Sequence, residues 1–554
     1  MSRARRSPRS SLATFALVLA STLVSASAGA VGEVRAAQGH FVDGTGAVLV
    51  LRGINVAGDS KVPPFRPAAD PAIFAPLPDL GFNAVRLLFT WEAYEPTRGG
   101  YDASYLAYYV AAVRAAAAKG LFVIVDFHQD GYARFALDGC GEGAPSWAVP
   151  SRFAKDVPDN GPACEGWGLK LVQDEENHAL FSAFFADEEG VRTAYLDMLA
   201  RVAKALADEP GVIGYDVMNE PWSDDEATEL SKLHADATTV LREASPQAIV
   251  FVSPRAFTSS GTQTALPPPS FSNAAYAPHY YDGGLLLLGS WGGIEPEAPF
   301  ANMTGKAKEW GVPLFLGEFG APAGTNRGLD YLDMIYRRLD EGFHSGAHWV
   351  YTPGWTVEKK DGWNLEDLSI VDDHGRLRDN FRVRPHPRRI AGIPTGFVVT
   401  HEPPTLTMTW EHSPSLGETL AFVPMDRWLG GPPSIEATGV ACSLNDDILR
   451  CVGEAAGPVT VTVRRSSAPL PLPEEGGCAL GREPRAERTP WLALVALATV
   501  LRRQLGGRNS AKRSSAVSKS NSSIARATRR STAADAVPSS NGASSRANDS
   551  ASTS

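Results

Sequence analysis

Between residues 48 and 351 short apolar runs alternate with helical stretches eight times. The expected strands are Val48–Asn55, Ala84–Phe89, Phe122–His128, Val212–Asn219, Ile249–Ser253, Ala274–Tyr280, Leu314–Glu318 and His348–Tyr351. Helical patterns lie between them, such as Tyr108 to Lys119 and Val191 to Asp208. Eight βα repeats over about 300 residues make this an α/β chain whose parallel strands close into a (β/α)8 TIM barrel. A doubly wound sheet is the alternative, but it would carry a glycine-rich turn after its first strand. Arg52-Gly53-Ile54-Asn55 offers none.

The polar residues of this region collect at the strand C-terminal ends. Asn55 ends the first strand, Arg86 lies near the end of the second and His128 ends the third. Asn219 and Glu220 follow the fourth, His279 and Tyr281 the sixth, Glu318 the seventh, and Trp349 lies in the eighth. In a barrel these ends share one face, where active sites are built. Folding alone gives no reason for so many strands to end this way.

After Ile390 the period changes to two, as in Thr405–Trp410 and Val459–Val463, with Pro and Gly turns between the runs. Residues 31–390 are therefore read as the barrel domain and 391–465 as a small antiparallel β-sandwich. Residues 466–478 read as a Pro-rich linker ending at Cys478.

The two ends lie outside this pattern. Arg3, Arg5, Arg6 and Arg9 precede the apolar run Leu12 to Val24, and Ala26-Ser27-Ala28 follows. That layout makes residues 1–30 an expected secretory signal peptide, with a membrane anchor and a twin-arginine signal as alternatives. Near the other end, Gly477-Cys478 is followed by an apolar stretch, Trp491 to Leu501, and by Arg502-Arg503. This arrangement resembles the C-terminal sorting tails of myxobacterial surface proteins. The resemblance implies a sorting segment at 479–505 with Cys478 as the processing or anchoring position; a plain amphiphilic helix is the alternative. Residues 506–554, rich in Ser, Ala, Asn and Arg, read as a disordered tail. The expected location is therefore outside the cell, secreted or anchored to the surface.

Formal net charge is −10, but the two ends hold much of the basic charge. Without residues 1–30 and 479–554 the body carries 35 basic and 58 acidic residues, about −23, which argues against a nucleic-acid ligand. Of the five cysteines, Cys140 with Cys164 and Cys442 with Cys451 are each placed to close a short loop in an oxidising compartment.

Glu220 lies in Val217-Met218-Asn219-Glu220-Pro221 and Glu318 in Leu316-Gly317-Glu318-Phe319-Gly320. Cleaving a glycosidic bond with retention needs two carboxyl groups about 5–5.5 Å apart. Strands four and seven face each other across a barrel mouth, so these two glutamates fit that demand. Asn219 is placed to bond a sugar 2-OH, and Pro221 stiffens the turn. A nucleophile must stay ionised, and Arg86 and Tyr281 are the candidate donors to Glu318. Alternative readings are a helix-capping Glu220 and a structural salt bridge for Arg86.

Taken in order, Arg52-Gly53-Ile54-Asn55, Asn83-Ala84-Val85-Arg86, Asn219-Glu220-Pro221, His279-Tyr280-Tyr281 and Gly317-Glu318-Phe319-Gly320 resemble glycoside hydrolase family 5 over about residues 40–390. The resemblance implies Glu220 as acid/base and Glu318 as nucleophile, with His128, Asn219, His279, Tyr281 and Trp349 lining the sugar subsite. Asp126-Phe127-His128-Gln129-Asp130, Ala277–Tyr281 and Asp361–Ile370 are more similar to endoglycoceramidases and related glycosylceramidases. That likeness implies that Asp130 and Lys61 bind sugar hydroxyls; a solvated loop lysine is the other reading of Lys61. Trp349, Trp355 and Trp363 offer stacking faces or packing.

Gly283-Gly284-Leu285-Leu286-Leu287-Leu288-Gly289 follows strand six on the active face. Leu286 and Leu287 are expected to receive a lipid aglycone or touch a membrane transiently; the alternative is a short helix packed into the core. The substrate so implied is a glycolipid whose glycan is β-linked to ceramide. A monosaccharide lipid such as glucosylceramide or steryl glucoside, and a β-glucan, are the alternatives with the same chemistry. A surface carbohydrate-binding protein is the non-enzymatic alternative. The expected chain is a monomer, and neither metal nor cofactor is implied: the histidines do not fall at ligand spacing and two carboxyls with water suffice.

Overall fold

A computed structural model of the chain describes residues 33–153, 159, 164 and 166–466. The expected signal peptide, Cys478, the segment 479–505 and the tail 506–554 lie outside the described residues, as does the 466–478 linker beyond Ser466.

Eight parallel strands form one sheet: Arg52–Val56, Ala84–Thr90, Phe122–His128, Val212–Asp216, Ile249–Val252, Ala274–Tyr276, Phe315–Phe319 and Ser345–Tyr351. The eighth pairs with the first, and parallel bridges Tyr276–Leu314 and His279–Glu318 join the sixth to the seventh, which closes the barrel. The first, second and eighth strands are buried at every residue, as parallel strands covered on both faces must be. The helix expected from Tyr108 begins earlier and spans Ala103–Ala117, because the Asp102 side chain accepts from the Ser104 and Tyr105 amides and caps it.

The apolar run from Val48 to Asn55 proves to be two strands. Val48–Leu49 pairs antiparallel with Arg389 and Ile390, and only Arg52–Val56 enters the barrel. A run buried throughout carries no periodicity to mark where it changes sheet. Regular pairing of the sixth strand stops at Tyr276, shortly before Pro278, which has no amide to give.

Two short strands, Val34–Ala37 and His40–Asp43, precede the barrel and join a seven-stranded antiparallel sheet with residues of the C-terminal region. Phe41 from this hairpin packs against Phe251 and Phe315 at ring distances of 6.0 and 6.3 Å. It helps fill the barrel end away from the active face, and burying one such side chain stabilises by roughly 1.5–3 kcal/mol. A four-stranded sheet of Gly392–His401, Pro404–His412, Gly457–Arg465 and Pro433–Thr438 supplies the second layer. Trp410, Met408, Val461 and Val463 from it share a core with Ile390, Ala421 and Leu449 from the seven-stranded sheet, which makes the sandwich. The sandwich therefore draws strands from both sides of the barrel segment. Disulfides join Cys140 to Cys164 and Cys442 to Cys451.

Candidate active site

Polar side chains from several barrel strands, and from the turns that follow them, converge on the mouth. Arg86, fully buried, is their hub. Its Nη1 donates to Glu318 Oε1 at 2.9 Å and to Asn55 Oδ1 at 3.0 Å. Its Nη2 reaches Asp126, Asp216 and Asn219 at 2.8–2.9 Å. A planar fork of donors suits this multiple engagement, where a lysine would not.

Glu220 stands at the end of the fourth strand with φ +34°. A left-handed backbone costs a non-glycine residue on the order of 1–3 kcal/mol and persists only where neighbours hold it. Gln129 is such a neighbour: its Nε2 donates to the carbonyls of Asn219 (2.5 Å) and Glu220 (3.0 Å). Pro221 adds to this, since a residue before proline is pushed out of the right-handed helical region.

The two glutamates meet at His279. Its Nδ1 lies 2.8 Å from Glu220 Oε1 and 3.6 Å from Glu318 Oε2. One carboxyl oxygen of each glutamate and a His279 nitrogen all lie within 4.8 Å of one another. Tyr281 donates its hydroxyl to Glu318 Oε2 at 3.0 Å.

Burial and the nearby charge of Asp130 push the Glu220 carboxyl up to about 7, against hydrogen bonding from Ser259. Burial also raises Glu318 above the ordinary carboxylate range, while His279 and Arg86 pull it back. Burial lowers His279, which keeps the imidazole neutral near neutral pH.

A second cluster adjoins the first. Lys61, buried, donates to Asp130 Oδ2 at 2.6 Å and lies over the rings of Trp363 and Trp349 at 4.2 and 4.6 Å. It is therefore no solvated loop lysine. His128 gives Nδ1 to Asp126 at 2.7 Å and turns Nε2 toward Asp130 (3.4 Å) and Glu142 (3.7 Å). The Trp349 ring stacks on that of His128, with centroids 5.6 Å apart. Burial drives Glu142 up to about 8, so it carries a proton at neutral pH. Burial opposes charge on His128, but Asp126 and Asp130 prevail and raise it to about 10.

His128, Asp130 and Glu142 have ligand atoms near enough to share an ion, as do Glu220, His279 and Glu318. Lys61 already pairs with Asp130 in the first set and Arg86 with Glu318 in the second, and the chemistry of paired carboxyls needs no metal.

Asn219 has its Oδ1 taken by Arg86, while its Nδ2 donates to Gln129 O at 3.1 Å and to Asp130 Oδ1 at 3.3 Å. Trp363 is buried against Lys61 and Trp167, and Trp355 bonds Asp367 beneath Arg378, so both serve packing. Leu286 and Leu287 belong to a short helix, Gly283–Leu288, begun by the Asp282 side chain. Only Leu285 is buried there; Leu286, Leu287 and Leu288 are 46, 76 and 80% exposed. Asp216, Glu142 and Ser259 are parts of the site that sequence reasoning missed.

Two carboxyls facing one point over a closed parallel barrel, one raised toward neutrality and one held by arginine, define a retaining glycosidase. The cellulase model of glycosyl hydrolase family 5 matches residues 42–355, and the chain belongs to that family. It is 26% identical over 467 residues to endoglycoceramidase I of Rhodococcus hoagii (strain 103S), covering 78% of this chain and 89% of that one. Among solved structures it is similar to endo-glycoceramidase II from Rhodococcus sp. in its ganglioside GM3 complex, at 25% identity and TM-score 0.66, covering 77% and 99% of the two chains. The lactosyl-enzyme intermediate of that protein gives 26% identity and TM-score 0.64, covering 77% and 100%.

Proposed function

We propose that this enzyme hydrolyses the β-glycosidic bond between an oligosaccharide and ceramide in glycosphingolipids. Glu318 attacks the anomeric carbon while Glu220 gives its proton to the leaving oxygen, so the ceramide alcohol departs and a glycosyl ester forms. Glu220, now a carboxylate, takes a proton from water, and the resulting attack on the ester releases the sugar with its configuration retained. Lys61, Asp130 and His128 bind sugar hydroxyls, and Trp349 supplies an aromatic wall.

The observation that carries this reading is the carboxyl pair meeting at His279, beside a helix that exposes three consecutive leucines. A soluble glycan has no use for such a surface, whereas a lipid aglycone or a membrane has. The named relatives support the same substrate class. The enzyme acts as a monomer that touches membranes transiently through Leu286, Leu287 and Leu288. Export is supported by the two disulfides, which persist in oxidising compartments.

The test is a panel of fluorescent ceramides carrying one glucose, lactose or a ganglioside glycan, with steryl glucoside and cellopentaose alongside. Release of intact oligosaccharide and ceramide is the expected result. Turnover confined to glucosylceramide, steryl glucoside or cellopentaose contradicts the substrate proposed.

A further inference from the structure

The loop after the fifth strand sends one residue to the carboxyl pair. Ser259 Oγ donates to Glu220 Oε1 at 2.5 Å, and the Ser259 carbonyl accepts from the Tyr281 amide at 3.0 Å. Tyr281 in turn donates to Glu318. The loop is anchored by the buried Glu226, whose Oε1 accepts from the Arg255 amide and the Thr264 hydroxyl and whose Oε2 accepts from the Ala265 amide. Ser259 is thus held at both ends of its loop rather than placed by chance.

Two donors converge on one oxygen of Glu220. His279 Nδ1 and Ser259 Oγ both address Oε1, whereas no such partner is assigned to Oε2 among the described residues. A proton on a carboxyl avoids an oxygen already accepting two hydrogen bonds. We infer that Ser259 is a positioning residue for the acid step: with His279 it occupies Glu220 Oε1 and so leaves Oε2 to carry the proton to the leaving oxygen. As the Oε2–H bond breaks, the glycosidic oxygen takes the proton and the electron pair of its bond to carbon. The new carboxylate keeps both donors on Oε1.

The titratable and charged groups facing Glu220 are the neutral His279 from the sixth strand, Glu318 from the seventh, His128 and Asp130 from the third and Lys61 from the loop after the first. None of them is altered by substituting Ser259. The inference rests on Glu220 as the acid/base, and its test needs no lipid. In protein labelled with ¹³C at glutamate carboxyls, the Glu220 signal is identified by its loss in E220Q. Removing one hydrogen bond from the ionised form moves its titration in S259A upward by about one pH unit, while S259T keeps the wild-type value. With aryl β-lactosides, kcat/KM, which reports the first step, falls about tenfold in S259A for the phenyl leaving group, which needs the proton, and by no more than about twofold for 2,4-dinitrophenyl, which does not. An unmoved titration, or an S259T variant that behaves as S259A, overturns the inference. Failure of the ceramide panel leaves the titration untouched, so the two failures are distinguishable.

Discussion

Arg86 Nη1 lies 2.9 Å from Glu318 Oε1, and the same guanidinium holds Asp126 and Asp216, so one buried cation serves three carboxylates. Lysine keeps the charge but cannot satisfy that set of acceptors. R86K should lower kcat/KM on the order of 10- to 100-fold, the loss of a charge-assisted hydrogen bond. The Glu318 carboxyl should also rise, moving the acid limb of the pH profile to higher pH. Steady-state kinetics across pH check both.

The wild-type profile follows from the two glutamates. Glu220 must be protonated to act as acid, and its carboxyl sits at about 7. Activity is therefore present below that pH and lost as pH rises through it. Glu318 must be ionised, and burial raises it, so activity is lost as pH falls, at higher pH than for an ordinary glutamate. The kcat/KM profile of the free enzyme should be a narrow bell. E220Q should abolish the basic limb when 2,4-dinitrophenyl β-lactoside is the substrate.

Lys61 and Asp130 form a buried ion pair at 2.6 Å. Removing one partner strands a charge in the interior, which costs about 3–5 kcal/mol. K61M and D130N should each lower the midpoint of urea unfolding accordingly. The double variant should lose less than the sum. Both singles should also raise KM for glycan substrates.

Leu286 and Leu287 face solvent, so L286S/L287S should change stability by no more than about 0.5 kcal/mol. Turnover of long-chain glycolipids in vesicles should fall several-fold, while that of soluble aryl glycosides is spared. Equal losses on both substrates contradict a lipid role for this helix.

The barrel was legible because its strands are continuous apolar runs with polar ends, and the same ends marked Glu220, Glu318, Arg86, His128, His279 and Tyr281. What escaped has physical reasons. The Val34–Ala37 and His40–Asp43 strands are four residues each, too short for a period to register, and the sheet they open is completed only where Val48–Leu49 pairs with Arg389 and Ile390, hundreds of residues away. Ser259 stands in Thr258-Ser259-Ser260, which has the composition of a solvated turn. Glu142 reaches the site only because the chain reverses and bridges back to Asp130. Gly143, at φ +117°, passes so close to Gln129 that a Cβ there would lie 2.4 Å from the Gln129 Cβ. Lys61 reads as a loop lysine until Trp349 and Trp363 enclose it. In each case the missing information was a long-range contact.

Trapping the covalent intermediate tests the division of labour between the two glutamates most directly. The enzyme is incubated with a 2-deoxy-2-fluoro lactosyl fluoride, digested, and mapped by mass spectrometry. A single fluoroglycosyl adduct on the peptide containing Glu318, absent in E318Q and still formed in E220Q, is the predicted result. An adduct on Glu220, or no adduct together with release of the inverted anomer from an unmodified substrate, would contradict it.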